Sequence, residues 1–244
     1  MRKLLIIVLT FSLIFAFSAV GLAQSYTVGT SAGFPPFEYV EDGEIVGFDI
    51  DLMKAIGEEM GFEVTFEDIA FDSLIPALKT GNIDIVAAGM TITEERENAV
   101  DFTNSYYSAN QSIIVQEGSD NNISVLYGDH DISVQTGTTG DLWITENLAD
   151  EGILTGEIKR YDTFVLCVSD LVNGNVDAVV LDSPVAERYS ETRDVQIVGN
   201  IITGENYGLA VDEGNTELLE TLNEGLRRIR ESGRMQEIIA KHFE

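Results

Sequence analysis

The 244-residue sequence holds one cysteine, four prolines, one tryptophan and two histidines. A single thiol excludes an intrachain disulfide, and Cys167 lies in the apolar stretch 164–168, where burial as a small hydrophobe is expected. With His130 in a polar stretch and His242 beside the end of the chain, neither a Cys/His metal site nor a Ser-His-Asp or Cys-His catalytic set can be assembled. No cofactor is expected. Positive charge is also scarce, since 14 Lys and Arg stand against 42 Asp and Glu for a formal charge of −28. That sign repels a phosphate backbone or an anionic membrane face, so nucleic acid is excluded as a partner. The acids are spread along the chain instead of forming a tail, which fits a solvated surface or adaptation to high salt.

A long apolar run occurs once. Arg2 and Lys3 precede the run 4–20 and the small-residue pattern Gly21-Leu22-Ala23, which reads as a signal peptide over 1–23 with cleavage after Ala23. The run is close to the length of a membrane anchor, but the small residues before Gln24 favour cleavage. No Cys follows it, so the lipid-attachment site of exported lipoproteins is missing and a freely diffusing periplasmic monomer is expected.

From residue 26 short β-type runs alternate with helical patterns, the signature of an α/β layer architecture. Residues 26–30 read as a strand, and 37–40 and 44–48 flank Glu41-Asp42-Gly43 as a hairpin with positive φ at Gly43. Leu52, Met53, Ile56 and Met60 predict a helix stopped by Gly61. A strand over 64–69, a short helix through Leu74, Ile75 and Leu78, and a strand over 83–87 follow. The chain then runs extended through Ile113 to Val115 into a polar stretch, 116–122, where composition places a domain boundary. A second series has strands over 132–135, 158–161 and 177–181, with helices around Trp143 and over 164–172. A strand over 207–211, a helix with Leu218, Leu222, Leu226 and Ile229 on one face, a break at Gly233 and a helix over 235–243 complete the chain.

Four segments carry candidate chemistry. Ala88-Gly89-Met90-Thr91-Ile92-Thr93-Glu94-Glu95-Arg96 leaves a strand and enters a helix, where ligands of open α/β sheets gather. Arg96 sits in the first turn, against the helix dipole, so an anion should compensate it: a ligand, or Glu94, Glu95 or Asp101. Asp182 ends a buried-type strand just before Ser183-Pro184, as a site carboxylate or a helix cap. Gln135-Thr136-Gly137-Thr138-Thr139-Gly140 opens a helix with free N–H groups but lacks the Lys of a phosphate loop. Phe34, Phe37 and Phe71 fall on loops, as cleft walls or as anchors.

Six motifs in order make the chain resemble the polar amino-acid group of periplasmic solute-binding proteins of ABC transporters. They are Gly33-Phe34-Pro35-Pro36-Phe37-Glu38-Tyr39, Gly47-Phe48-Asp49-Ile50-Asp51-Leu52, Leu74-Ile75-Pro76-Ala77-Leu78, the segment from Gly89 to Arg96, the segment from Gln135 to Gly140, and Asp177-Ala178-Val179-Val180-Leu181-Asp182. The resemblance implies two α/β lobes, each a mixed sheet flanked by helices, joined by two extended hinge strands at about 107–112 and 200–206. Lobe 1 would comprise 24–109 and 205–244, and lobe 2 would comprise 110–204. By motif, Arg96 would hold a ligand α-carboxylate with Thr91 and N–H groups around Thr91 and Thr139, while Asp182 and the Gly89 carbonyl would hold the α-ammonium. Phe34 and Phe71 would sandwich the side chain, Ser31, Glu38 and Gln135 would supply polar contacts, and Ala88 and Thr138 would complete the lining. Several relatives that take basic amino acids carry Asp where this chain has Ser31 or Gly33, which speaks against lysine. The implied function is capture of a free polar amino acid, arginine first, then glutamine or another, and delivery to the membrane subunits of an ABC importer. The alternative is a periplasmic dehydratase-type enzyme on the same fold, with Glu38 as its general acid.

Overall fold

The computed structural model describes residues 24–244, and the expected signal peptide lies outside the described residues. The chain opens with β1 (Gln24–Thr30), β2 (Gly33–Phe34), β3 (Glu38–Glu41) and β4 (Glu44–Val46), followed by α1 (Phe48–Met60) and β5 (Phe62–Asp68). Next come α2 (Leu74–Lys79), β6 (Ile85–Val86), α3 (Glu94–Glu97) and β7 (Val100–Phe102). The β3–β4 turn has positive φ at both Asp42 and Gly43, the mirror-image geometry that matches strand twist. Leu52, Met53 and Ile56 of α1 are buried, and Gly61 stops the helix in the left-handed region with its N–H on Gly57 O.

The second series comprises β8 (Tyr107–Gln116), β9 (Ile132–Gln135), α4 (Thr139–Ile144), β10 (Ile158–Tyr161), α5 (Phe164–Val172), β11 (Ala178–Asp182), α6 (Ser183–Thr192) and β12 (Val195–Tyr207). The chain ends with β13 (Ala210–Asp212), α7 (Thr216–Glu231) and α8 (Arg234–Phe243). Two five-stranded mixed sheets result, ordered β5-β1-β6-β13-β7 and β10-β9-β11-β8-β12, beside the small sheet β2-β3-β4. β9 and β11 are buried at every position because they fill the interior of their sheet, which in β11 shows as an apolar run from Ala178 to Leu181.

Two sequence readings are revised. The polar stretch 116–122 is no boundary, because β8 lies wholly in the second sheet and the stretch leads on within it. The expected strand 207–211 is split: Tyr207 ends β12, Gly208 donates to Met90 O at 3.0 Å, and β13 then joins the first sheet. The two expected hinge segments run side by side, with Ser112 opposite Asn200 and Ser108 opposite Asn206.

α7 returns the tail to the first sheet's side. Leu218, Leu222, Leu226 and Ile229 bury on one face, each stabilising by about 1.5–3 kcal/mol relative to exposure. Gly225 lets α7 approach α1, since a Cβ there would meet Ile56 Cγ2 at 2.6 Å. One apolar cluster runs through both sheets' territory by way of Phe34, Phe37, Phe164, Tyr207 and Tyr189.

Candidate functional site

Ser31 follows β1, Phe71 follows β5 and Ala88 to Thr91 follow β6, all at the carboxyl ends of parallel strands in the first sheet. In the second sheet Gln135 ends β9, Thr138 and Thr139 follow it, and Asp182 ends β11. The two sets of strand ends meet at one cavity. All twelve expected residues, Ser31, Phe34, Glu38, Phe71, Ala88, Gly89, Thr91, Arg96, Gln135, Thr138, Thr139 and Asp182, line one cavity.

Arg96 is buried on α3, a four-residue helix capped by Thr93 Oγ1, which accepts from the Arg96 N–H. Its guanidinium donates to Thr91 O at 2.7 Å and to Gly137 O at 3.1 Å, one acceptor from each lobe, and lies 5.2 Å from the Phe71 ring centre. Glu94, Glu95 and Asp101 do not pair with it; among the described residues no carboxylate lies within 4.0 Å of its nitrogens. Burial lowers its pKa, and the charges of Asp182 and Glu205 oppose that shift. Two of five N–H donors are committed to carbonyl oxygens, and a fork of this shape suits a carboxylate.

Asp182 stands at the N-cap of α6 without capping it. Its carboxylate accepts instead from Tyr207 Oη and from Gln111 Nε2, the latter at 2.8 Å. Burial and then the Glu205 charge push its pKa up to about 7, against those hydrogen bonds and the Arg96 charge. Sequence reasoning missed Glu205, Gln111 and Tyr207. Glu205 is buried, and its Oε2 accepts from Thr91 Oγ1 at 2.7 Å and Thr139 Oγ1 at 2.8 Å.

Glu38 is fully buried on β3, and neither of its carboxylate oxygens has a hydrogen-bond partner among the described residues. Burial, then the charges of Asp49 and Asp182, drive its pKa well above the usual carboxylate range. Asp49, also fully buried, accepts from Tyr106 Oη at 2.6 Å and from the Gly89 N–H at 2.8 Å. That second bond fixes the cavity floor at Gly89, where φ is 52° and a Cβ would lie 2.5 Å from Phe34 Cε1.

Phe34 and Phe71 both line the cavity. Phe34 stacks with Phe37 at 5.6 Å and with Phe164 at 5.7 Å, while Phe71 lies under Arg96, so Phe34 is both cavity wall and core anchor. The Phe34–Phe164 stack crosses the cleft, as do Gln135 Nε2 to Ser31 Oγ at 3.2 Å and Tyr189 Oη to Gly33 O at 3.0 Å.

The model of the bacterial extracellular solute-binding proteins, family 3, matches residues 26–244. The putative ABC transporter arginine-binding protein 2 of Escherichia coli (strain K12) is 36% identical over all of this chain and all of its own. The solved structure of an ancestral arginine-binding protein bound to arginine is 41% identical, with a TM-score of 0.86 over 91% of this chain and 100% of that one. An ancestral amino acid-binding protein that is a precursor of cyclohexadienyl dehydratase is 35% identical, with a TM-score of 0.83 over 91% of this chain and 96% of its own. Matched along all but two of its described residues, and two-lobed like these structures, the chain belongs to the bacterial extracellular solute-binding proteins, family 3.

Proposed function

We propose that the chain captures free L-arginine, with glutamine or another polar amino acid next in order, by closure of its two lobes, and delivers it to the membrane subunits of an ABC importer. It acts as a monomeric binding protein of the periplasm and not as an enzyme. The lobes are 24–109 with 205–244, and 110–204. Arg96 takes the α-carboxylate together with backbone N–H groups at Thr91 and Thr139, and Asp182 and the Gly89 carbonyl take the α-ammonium. Because Arg96 and Asp182 belong to different lobes, one zwitterion satisfies both only when the cleft is closed, which turns binding into a shape the importer can read.

The observation that carries arginine is Glu38. A carboxyl group with both oxygens buried and unpartnered is costly unless a cation or donor reaches it. A guanidinium supplies two parallel N–H donors and a charge. The arginine-binding relatives support the choice.

A thermal-shift screen of residues 24–244 against the twenty amino acids and ornithine tests the reading, since a tight ligand at saturation stabilises by about 3–4 kcal/mol. Arginine should give the largest shift. Glu38→Gln should retain the fold and weaken arginine by about 2 kcal/mol or more while leaving glutamine nearly unchanged. Equal losses for both ligands would remove Glu38 from side-chain recognition. The relationship to a dehydratase precursor and the raised proton affinity of Glu38 favour the second reading, a dehydratase-type enzyme. Turnover of a cyclic amino-acid precursor, abolished in Glu38→Gln, would establish that reading in place of the first.

A further inference from the structure

We propose that Glu205 is a positioning residue that makes one side of the cavity an acceptor surface for the ligand's α-ammonium group, a role that rests on the amino-acid reading above. Glu205 reaches the threonines of the cavity wall, Thr91 and Thr139, through a distortion of β12. The register places Ile201 opposite Gln111 and then Glu205 opposite Ala109, so three residues of β12 stand against one of β8. Residues 202–204 loop outward, with Ile202 83% exposed and Gly204 at φ 66°. Asn110 Oδ1 fastens the loop by accepting from the Thr203 N–H at 3.1 Å and the Gly204 N–H at 3.0 Å. Bulges beside functional sites re-aim a side chain, and this one turns Glu205 inward on the same face as the buried Tyr207.

Each Glu205 oxygen accepts twice: Oε2 from Thr91 Oγ1 and Thr139 Oγ1, and Oε1 from Gln111 Nε2 at 3.0 Å and Thr203 Oγ1 at 2.9 Å. A hydroxyl has one proton and two lone pairs. Thr91 and Thr139 direct their protons to Glu205, so their oxygens can only accept from a ligand, one from each lobe. Gln111 also ties Glu205 to Asp182, whose carboxylate belongs to the same acceptor surface. An ammonium group, with three donors and no acceptor, is complementary to such a set. The hydroxyl of Thr91 therefore faces the ammonium end of the ligand, and only its backbone N–H serves the carboxylate.

Glu205→Gln replaces one acceptor oxygen by an amide that donates, which forces a threonine proton back towards the cavity. Titration calorimetry with L-arginine, with agmatine, which keeps an ammonium but lacks the carboxylate, and with the α-deamino analogue of arginine separates the ends of the ligand. Glu205→Gln, with an unchanged melting curve, should bind arginine and agmatine about tenfold or more weakly, the scale of one charge-assisted hydrogen bond. The α-deamino analogue should change by less than about threefold. Glu205→Asp, which keeps the charge on a shorter side chain, should recover part of the arginine affinity. Equal loss for all three ligands, or none for any, overturns the proposal and leaves the amino-acid reading standing. If the wild type selects another amino acid, the corresponding analogues of that ligand give the same comparison. A wild type that binds no amino acid overturns the reading and the proposal together.

Discussion

Asp182 ends a strand buried along its whole length, and burial with the nearby Glu205 charge pushes its pKa up to about 7. A ligand ammonium favours the ionised form, so binding lowers that pKa. The sign follows: near pH 6 the unliganded protein holds the proton and binding releases it, whereas near pH 9 there is none to release. Affinity should therefore rise with pH from about 5 towards 8, by at most tenfold per unit for one proton, and fall again where the ligand's own α-ammonium loses its proton, above about pH 8. Calorimetry at pH 6 in buffers of different ionisation heat measures the released protons, and the share lost in Asp182→Asn, as distinct from any that Glu38 releases to a guanidinium, belongs to Asp182; no difference between Asp182→Asn and wild type would remove Asp182 from the ammonium site. Asp182 and Arg96 were legible in the sequence because each stands where a strand ends, Asp182 beside a proline and Arg96 in an opposed helix turn. Glu205 was not legible among 42 acidic residues. Strand alternation read backwards from the buried Tyr207 would have turned it inward, since residues two apart share a face.

The C-terminal helix is fastened by one carboxylate. Asp51 of α1 accepts from Lys241 Nζ and His242 Nε2 of α8, each at 2.6 Å. Burial alone would raise its pKa, but these hydrogen bonds and charges hold it down to about 2. A lowered pKa in the folded state gives stability that is complete above the unfolded value near 4 and is lost as pH falls towards 2. Asp51→Asn should therefore be less stable than wild type at pH 7, and the gap should close by about pH 2. Melting temperatures of the two proteins across that range check it; a gap that stays constant would show that packing, and not the charge, is the fastening. The helices themselves were well marked: the four-residue spacing of Leu218, Leu222 and Leu226 defined the buried face of α7. The split of the expected strand 207–211 was not marked, because Tyr207 and Ala210 belong to different sheets and the chain passes between them at Gly208 without any change in composition.

Across the whole molecule the few cations are largely used locally. Arg227 and Arg228 pair with Glu224 and Glu231 within α7, Arg234 pairs with Glu237 in α8, and Arg188 pairs with Glu191 in α6. Most of the 42 acidic groups therefore have no nearby counter-charge, and their mutual repulsion acts on the compact state. Order along the chain was readable from the alternating pattern, but how the lobes meet was not, because Phe34 with Phe164 and Ser31 with Gln135 are partners from distant segments. Among the described residues Arg96 is the one buried Lys or Arg, against the buried carboxylates Glu38, Asp49, Asp182 and Glu205, so the interior adds its own repulsion to that of the surface. Salt relieves only the surface part: from about 10 mM to about 1 M the screening length falls from about 30 Å to about 3 Å, while buried pairs are little affected. The melting temperature of the unliganded protein should accordingly rise by about 5 °C or more over that range, equally in NaCl and KCl, since screening depends on ionic strength alone. An unchanged melting temperature would show that the acids are already solvated without strain, and a difference between the two salts would point to bound ions. The stabilisation by a saturating cationic ligand should persist at 1 M salt, because the charges it neutralises are the buried ones.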